Sequence, residues 1–384
     1  MELVNKSRLP MEVTTALDKS GREHLLLVAK ATYRFGDSGH PPELAEESHP
    51  ISHTDAFVGE PGLSAPLYEA DLALAKKRCD VIVDATAHAP DGRPVTELDV
   101  AIRVGSLAKQ FLVIGDRTWQ RGASRVSMSR PQPFTSMPIH YGRAFGGSPR
   151  HRSADEQDTY LANPIGRGFC SDPRADLVDQ MPLPNTENAN HRLSSPNDQV
   201  QPLAFGPIGR HWHPRKDYAG TYDARWRADV FPLLPDDFNE AFFQSVPADQ
   251  QMDFVQGGEE VALRNLVPGK PLVTFKLPRP DLALKLLYTS HRAIELPPVV
   301  DTLFIEPEAQ RFTMVYRTAL PLDRRGLFGV SIVAAGPVCK RWWKSKVLGT
   351  GDCGCGGDSD NDPGEDTEDE SASPAFTDGL EVEP

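Results

Sequence analysis

The sequence lacks the features of a membrane protein or of a protein from an oxidising compartment. No apolar run approaches the roughly 18 residues that span a bilayer. No basic region followed by an apolar core opens the chain, so we expect no signal peptide. The five cysteines are odd in number and widely scattered, which favours reduced thiols over a disulfide framework. These absences predict a cytoplasmic protein without a membrane partner.

Positive charge is missing from the C-terminal end of the chain. No lysine or arginine follows Lys346, whereas twelve of the 54 acidic residues lie in residues 351–384. The rest of the chain therefore carries 42 acidic and 41 basic residues, although the formal net charge of the whole chain is −13. A nearly neutral body gives no electrostatic reason to expect nucleic acid as a partner. The acidic segment has almost no large apolar residues, which predicts a disordered tail.

Recognisable catalytic and cofactor motifs are also absent. The chain has no G-x-S-x-G nucleophile elbow. The glycine-rich stretches 142–147 and 166–168 lack the following helix and the Lys-Ser/Thr pair of a phosphate loop, so we interpret them as turns. We therefore predict a protein that is not an enzyme and binds no cofactor.

Two histidines and two cysteines have spacings that suggest a metal ion. His211 and His213 would share one face of a strand, but a zinc site needs three or four ligands. Nothing nearby supplies an obvious third ligand, although folding could bring His191 or Asp217 close. The Cys353-Gly-Cys355 spacing differs from the C-x-x-C of a redox site, and flexible, exposed cysteines are the simpler interpretation. We predict that the protein holds no metal ion. The residues that come nearest to a metal site in the sequence are His211, His213, Cys353 and Cys355.

The patterns that are present predict mainly β-strands. In residues 25–35 one face is apolar throughout, whereas the other carries Lys30, Thr32 and Arg34, a period of two that is typical of a half-buried strand. We predict a three-stranded antiparallel meander from residues 81–88, 97–104 and 111–114, and a further strand at 125–128. Further strands are predicted later in the chain, among them hairpins at the Pro268-Gly269 turn and between residues 299–305 and 312–317.

Residues 235–246 carry the clearest helix signal. Proline suits a first helical turn, and Asp236 and Asp237 complement its positive end. Residues 131–226 contain many Pro, Gly, Asn, Asp and His residues without lasting periodicity. They also contain many aromatic residues, which favours ordered loops packed over a sheet rather than a flexible linker.

The predicted fold class is β-rich α+β, with antiparallel sheets in a sandwich-like arrangement, long ordered loops and a few helices. Residues 1–345 would form one β-rich domain, or two packed halves at about 1–130 and 227–345 with a loop-rich middle. Residues 351–384 would form the acidic tail.

Two places combine tryptophan with arginine, a composition that is enriched in the cores of protein interfaces. The same composition also fits a tryptophan packed in the core with arginine stems around it. The predicted interface candidates are Arg210, Trp212, Tyr222, Asp223, Arg225 and Trp226.

Several long, unusual motifs resemble a bacterial family of formerly unknown function that is encoded beside type VI secretion genes. They are MELVNKS at the start, PLAFGPIGRHWHPR at 202–215, GTYDARW at 220–226 and FPLLPDDF at 231–238. The resemblance extends from Met1 to about Trp343. It implies a cytoplasmic adaptor or chaperone that binds a secreted effector and helps to load it, with the tip protein of the secretion spike as a second candidate partner. Many relatives carry a following pentapeptide-repeat region, which this sequence lacks.

Two alternatives remain open at this stage. One is a metal-dependent hydrolase that uses the His-rich central region. The other is a structural component of the secretion apparatus.

Overall fold

The computed structural model describes residues 1–36, 39–122, 125–148, 159–171 and 178–350. Strands dominate this part of the chain. In chain order they are β1 (Glu2–Asn5), β2 (Met11–Leu17), β3 (Glu23–Arg34), β4 (Glu43–Leu44), β5 (Ala56–Phe57), β6 (Pro66–Tyr68), β7 (Cys79–Val83), β8 (Ala85–His88), β9 (Glu97–Val104), β10 (Leu107–Ile114), β11 (Trp119–Arg121), β12 (Val126–Met128), β13 (Ser136–Ile139), β14 (Phe145–Gly146), β15 (Arg167–Gly168), β16 (Thr186–Glu187), β17 (Gln251–Met252), β18 (Glu260–Val267), β19 (Lys270–Lys276), β20 (Leu284–Tyr288), β21 (Ala293–Leu296), β22 (Val299–Glu306), β23 (Arg311–Pro321) and β24 (Val330–Ala335).

The helical segments between these strands are short. The 3-10 turns are Pro90–Gly92, Tyr141–Arg143, Arg215–Ala219, Glu240–Phe243, Ala248–Gln250 and Gly326–Gly329, and one π-helical turn covers Trp226–Val230. This architecture confirms the predicted β-rich fold with a few helices.

The largest sheet has seven strands in the order β17-β7-β22-β23-β3-β2, with β4 beside β3. Only β7 and β22 run parallel; the other neighbours are antiparallel. At its centre, β3 pairs with β23 from Arg34 opposite Arg311 to His24 opposite Pro321. The two longest strands of the chain therefore meet although nearly 300 residues separate them, which is close to the span of the whole body.

A five-stranded antiparallel sheet has the order β16-β10-β9-β18-β19. A four-stranded sheet, β1-β24-β20-β21, contains the parallel pair β1 and β24. The smaller pairs are β5–β6, β8–β13, β11–β12 and β14–β15. The seven-stranded and four-stranded sheets each combine early and late strands of the chain, whereas the five-stranded sheet uses strands between Glu97 and Lys276.

The main apolar core joins the seven-stranded and five-stranded sheets. Alternate residues of β3, including Leu25 and Leu27, belong to the same buried cluster as Ile102 of β9. Stacked rings join the two sheets. The ring centre of Phe275 on β19 lies 5.2 Å from that of Phe312 on β23 and 4.5 Å from that of Phe35. Burial of such rings is a large apolar contribution to stability. The sandwich-like packing of the prediction is thus realised between these two sheets.

The strand predicted at 25–35 forms as β3, but its second face is buried as well, so the prediction that it is half-buried is wrong. Lys30 is 2% exposed and Thr32 is 1% exposed. The chain after β4 covers this face: the backbone N–H of His49 donates to Thr32 Oγ1 (2.9 Å), and Lys30 Nζ donates to the Pro50 carbonyl (3.0 Å). Polar residues point inward here because the covering segment supplies their partners.

Charged side chains form a balanced network beneath this cover. Three cations and three carboxylates are involved: Lys30, Lys76, Arg317, Asp71, Asp80 and Asp301. The closest contacts join Lys30 Nζ to Asp71 (2.6 Å), Lys76 Nζ to Asp80 (2.7 Å) and Arg317 Nε to Asp301 (2.6 Å).

Further hydrogen bonds connect these pairs to one another. Arg317 also donates to the Asp71 and Ala73 carbonyls, and Lys76 donates to Thr302 Oγ1 (2.9 Å). Burial lowers the pKa of Lys30, and the neighbouring Asp71 carboxylate opposes that shift. Each buried charge therefore has an opposite charge in contact, the condition under which buried ions are tolerated.

Two further predictions are wrong in detail. Residues 81–88 divide at Asp84 into β7 and β8, which join different sheets, so only the β9–β10 hairpin of the predicted meander forms. Residues 235–246 contain the 3-10 turn Glu240–Phe243 instead of an α-helix. The helix does not continue because Gln244 Nε2 and the Ser245 N–H both donate to Asp80, at 2.7 Å each, and hold these residues extended. The other hairpins and the strand at Val126–Met128 are confirmed.

Residues Val338–Pro384 group separately from the compact unit Met1–Pro337. The described part of the former contains helix α1 (Lys340–Leu348), which ends at Gly349 in the left-handed conformation (φ 67°). The predicted acidic tail, with Cys353 and Cys355, lies outside the described residues. Within the described ranges, no helix combines the length and the apolar character needed to cross a membrane.

We predict that Asp71→Ala destabilises the body by about 3–5 kcal/mol, because it leaves Lys30 buried without its counter-charge. The free energy of unfolding in urea measures this loss. Glu260→Ala is the control, because its partner Arg103 and Glu260 itself are half exposed; its loss should stay below about 1 kcal/mol. Equal small losses in the two variants would contradict the structural importance of the network.

A second prediction concerns pH. Burial and the nearby Arg143 and Arg167 lower the pKa of His140 to about 4, from 6.5. The unfolded chain therefore binds the proton more readily between these values, and stability should fall as pH decreases from about 6.5 to 4. His140→Gln removes this contribution, so its free energy of unfolding should fall less steeply than that of the parent over this window. Parallel pH profiles would show that His140 is not held neutral by folding.

Candidate protein-interaction site

Residues 220–238, here called the 220–238 loop, leave the body and return to it at nearly the same place. The two ends meet where the Asp237 carboxylate accepts hydrogen bonds from the Thr221 N–H (2.9 Å) and hydroxyl (2.8 Å). These bonds lower the pKa of Asp237. Gly220 has φ 82°, and a Cβ there would lie 2.8 Å from Asp237 Oδ1. Glycine is therefore required for the close approach of the two ends.

A short helical turn organises the middle of the loop. Asp223 Oδ1 accepts the Trp226 N–H at 2.8 Å, in the manner of a helix cap. The turn ends where the Phe231 N–H donates to the Trp226 carbonyl (2.8 Å), and the indole N–H of Trp226 donates to the Leu233 carbonyl (2.9 Å). Trp226 thus binds both the start and the end of the turn.

Three aromatic rings, Tyr222, Trp226 and Phe231, form what we call the aromatic cluster. Trp226 meets Tyr222 edge to face at 4.7 Å and Phe231 at 5.6 Å between ring centres. Tyr222 is 53% exposed and Phe231 is 65% exposed, whereas Trp226 is partly buried between them. The cluster is an apolar surface that the fold leaves open to solvent.

Charged side chains surround the cluster. Asp223, Arg225 and Arg227 are exposed. A cavity of about 220 Å³ lies beside the rings, with Asp223, Arg225, Trp226 and Pro235 in its wall. Aromatic rings rimmed by arginine and carboxylate groups have the composition of a protein-interaction surface.

The body holds the loop at several points. Leu233 packs on the turn between β2 and β3, where a Cβ at Gly21 would lie 3.1 Å from the leucine methyl groups. Phe238 is buried, and the Asn239 N–H donates to the Tyr218 carbonyl (2.9 Å). The aromatic cluster is therefore presented on a fixed segment.

Of the six predicted interface residues, Tyr222, Asp223, Arg225 and Trp226 lie together in this loop. Arg210 is exposed but lies elsewhere, where it forms ion pairs with Asp55 (3.1 Å) and Glu69 (3.6 Å). Phe231 was not among the predicted interface residues, although its place directly before Pro232 in the FPLLP segment could have indicated it.

Trp212 is a core residue, which corrects its place among the interface candidates. It is 1% exposed and meets Tyr141 edge to face at 5.6 Å between ring centres. Its indole N–H donates to His211 Nε2 (3.0 Å). The neighbouring Arg215 is also buried, where it pairs with Glu69. The second interpretation of the tryptophan-arginine pattern, core packing with arginine around it, holds at this position.

The two candidate metal ligands of this region have separate partners. His211 accepts the hydrogen bond from Trp212, whereas His213 Nδ1 lies 2.9 Å from the Asp217 carboxylate. Burial, with a smaller effect of Lys216, lowers the pKa of His211. Across the described ranges, no group of three His, Cys, Asp or Glu side chains has the geometry to hold a metal ion. Cys353 and Cys355 lie beyond those ranges.

A family model described as an uncharacterized protein conserved in bacteria, DUF2169, matches residues 20–317. The chain belongs to this family. The match includes every strand of the five-stranded sheet, the seven-stranded sheet except β2 and the end of β23, and the whole 220–238 loop. The family description names no activity, substrate or partner. No curated protein and no solved structure matches the chain.

We predict that Trp226→Ala perturbs the 220–238 loop and leaves the body folded. The substitution removes the ring contacts and the bond to Leu233, but Trp226 does not belong to the buried core clusters. The free energy of unfolding, obtained from the thermal transition followed by circular dichroism, should therefore change by about 1 kcal/mol or less. Trp226→Phe, which keeps an aromatic ring, is the matched control. Unfolding of the body in Trp226→Ala would place this residue in the core and end its assignment to the interface.

Proposed function

We propose that this protein is a non-enzymatic adaptor or chaperone that binds a type VI secretion effector and aids its loading onto the secretion spike. The resemblance of its long motifs to a family encoded beside type VI secretion genes suggests the setting. The proposed partner is the effector, with the spike tip protein as a second candidate. Binding would take place in the cytoplasm, with no role for nucleic acid or membrane.

The observation that carries an interaction role is the exposure of Tyr222 and Phe231 on the anchored 220–238 loop. Exposed aromatic clusters on a soluble body are candidates for partner binding. Tyrosine, tryptophan and arginine contribute most often to the residues that dominate interface energy. All three types occur in this loop.

The rigidity of the loop strengthens this argument. The Asp237–Thr221 bonds and the Trp226–Leu233 bond hold the rings in place before any partner arrives. A surface that is ordered in advance loses less conformational entropy on association. The loop is therefore suited to capture a partner without first having to fold.

A chaperone role follows from mass action. A protein that binds only the folded effector stabilises it by about 2.7 kcal/mol when the free adaptor is 100-fold above the dissociation constant. A marginally stable effector would then be protected from unfolding and degradation until it is loaded.

Deletion of the gene in the native cell tests the proposed function. The steady-state level of one toxin encoded nearby should fall several-fold, and its secretion should stop, while other cargo of the same apparatus is still exported. Quantitative immunoblots of cells and culture medium measure both effects. If every effector keeps its level and its export, the adaptor proposal is wrong.

Surface variants then test the site. Tyr222→Ala combined with Phe231→Ala should weaken effector capture at least tenfold, because truncation of interface aromatics often costs 2 kcal/mol or more. Leu272→Ala is the matched control, since it removes a similarly exposed apolar side chain (55%) from β19. Equal capture by the parent and both variants would leave the adaptor role intact but exclude the aromatic cluster as its surface.

A further inference from the structure

Helix α1 presents a face made of cations. Lys340, Arg341 and Lys344 are exposed, and a period of 3.6 residues puts them within about 100° of one another around the helix axis. The helix contains no carboxylate, and none of these three side chains forms an ion pair within the part of the chain that the structure describes. We call these three residues the cationic face.

The arrangement of the cationic face is unfavourable to the helix itself. Lys340 and Arg341 lie in the first turn, where the helix dipole disfavours positive charge. Lys340 and Lys344 are four residues apart, a like-charge spacing that destabilises a helix. The Cys339 side chain provides no capping hydrogen bond. Negative charge placed against this face would relieve all these effects.

The chain itself carries such a charge close by. Residues 351–384 contain twelve carboxylates and no cation, and eight of these carboxylates lie between residues 358 and 370. Five of the nine residues 349–357 are glycine. The helix is about 13 Å long, whereas eight connecting residues can extend over roughly 26 Å. The acidic stretch can therefore reach back to Lys340.

We propose that the cationic face of helix α1 is the docking site of the acidic segment 358–370 of the same chain. The attraction is electrostatic, and the short connection raises the effective concentration of the segment to the millimolar range. A second copy or a foreign anion must compete with that local concentration. The docked segment would shield the cationic face until a more strongly anionic partner displaced it. This inference does not depend on the adaptor role.

A dye on the acidic segment of the full chain tests the proposal. Ser373→Cys carries an oxazine dye, which indole quenches on contact, in a background with Cys170, Cys339, Cys353 and Cys355 changed to Ala. Cys79 is fully buried and does not label. The indoles of Trp342 and Trp343 in helix α1 report the approach of the segment.

Quenching should be at least twofold at 10 mM salt, where electrostatic interactions reach about 30 Å, and should disappear at 1 M, where they reach about 3 Å. Lys340→Gln with Arg341→Gln and Lys344→Gln should abolish it. Glutamine is a good helix former, so α1 is retained in this variant. A control that neutralises the exposed Lys19, Arg22 and Arg93 should keep the quenching. Trp342→Phe with Trp343→Phe should remove it.

Four results would overturn the proposal. Absence of quenching at every salt concentration would show that the segment does not dock. Quenching that survives in the triple Gln variant or in the double Phe variant would place the segment elsewhere. Quenching that falls on dilution of the protein would assign the contact to the segment of a second copy.

Discussion

Charge balance beneath the second face of the seven-stranded sheet is the constraint on which the rest of the structure depends. A single buried ion without its partner is destabilising by several kcal/mol. Lys30 lies on β3, its partner Asp71 lies in the covering segment, and Arg317 on β23 bonds to that same segment. The sheet and its cover must therefore assemble together. The requirement couples the first and last thirds of the body.

The same network reaches the candidate interaction site. Asp80 holds Gln244 and Ser245, which follow the 220–238 loop. On the other side of the loop, buried Arg215 pairs with Glu69 and donates to the carbonyl of Phe242 (2.9 Å). The residues after the loop are thus bound to β7, and the residues before it are bound to the segment that covers the sheet. The charge-balanced interior and the exposed aromatic cluster are parts of one arrangement, because the first helps to set the position of the second.

Much of this fold could be predicted from local patterns, because a hairpin needs only alternation and a turn between its strands. The pairs β9–β10, β18–β19 and β22–β23 were predicted on that basis and form. The inward position of Lys30 could not be predicted, since its partner Asp71 is 41 residues away and no local pattern connects them. The helix signal at 235–246 failed for a similar reason: the distant Asp80 binds its last residues in an extended form.

At the candidate site, too, the sequence predicts some features, and distant partners decide the others. Trp212 and Trp226 both stand among arginines, so composition alone treats them alike. Tertiary partners distinguish them: Tyr141 covers Trp212, whereas Trp226 is flanked by the exposed rings of Tyr222 and Phe231. The long motifs of the loop could be recognised as those of a family, but which of their aromatic residues remain exposed is decided by the fold.

Hydrogen exchange of the protein, alone and after purification with the proposed effector from the native cell, tests directly whether a partner binds at the aromatic cluster. We expect slow exchange in β3 and β23 in both samples, because these strands lie at the centre of the buried sheet. We also expect the proposed effector to slow exchange in residues 220–238 specifically. Unchanged exchange in that loop, with protection appearing on another surface instead, would contradict the assignment of the aromatic cluster as the site where the partner binds.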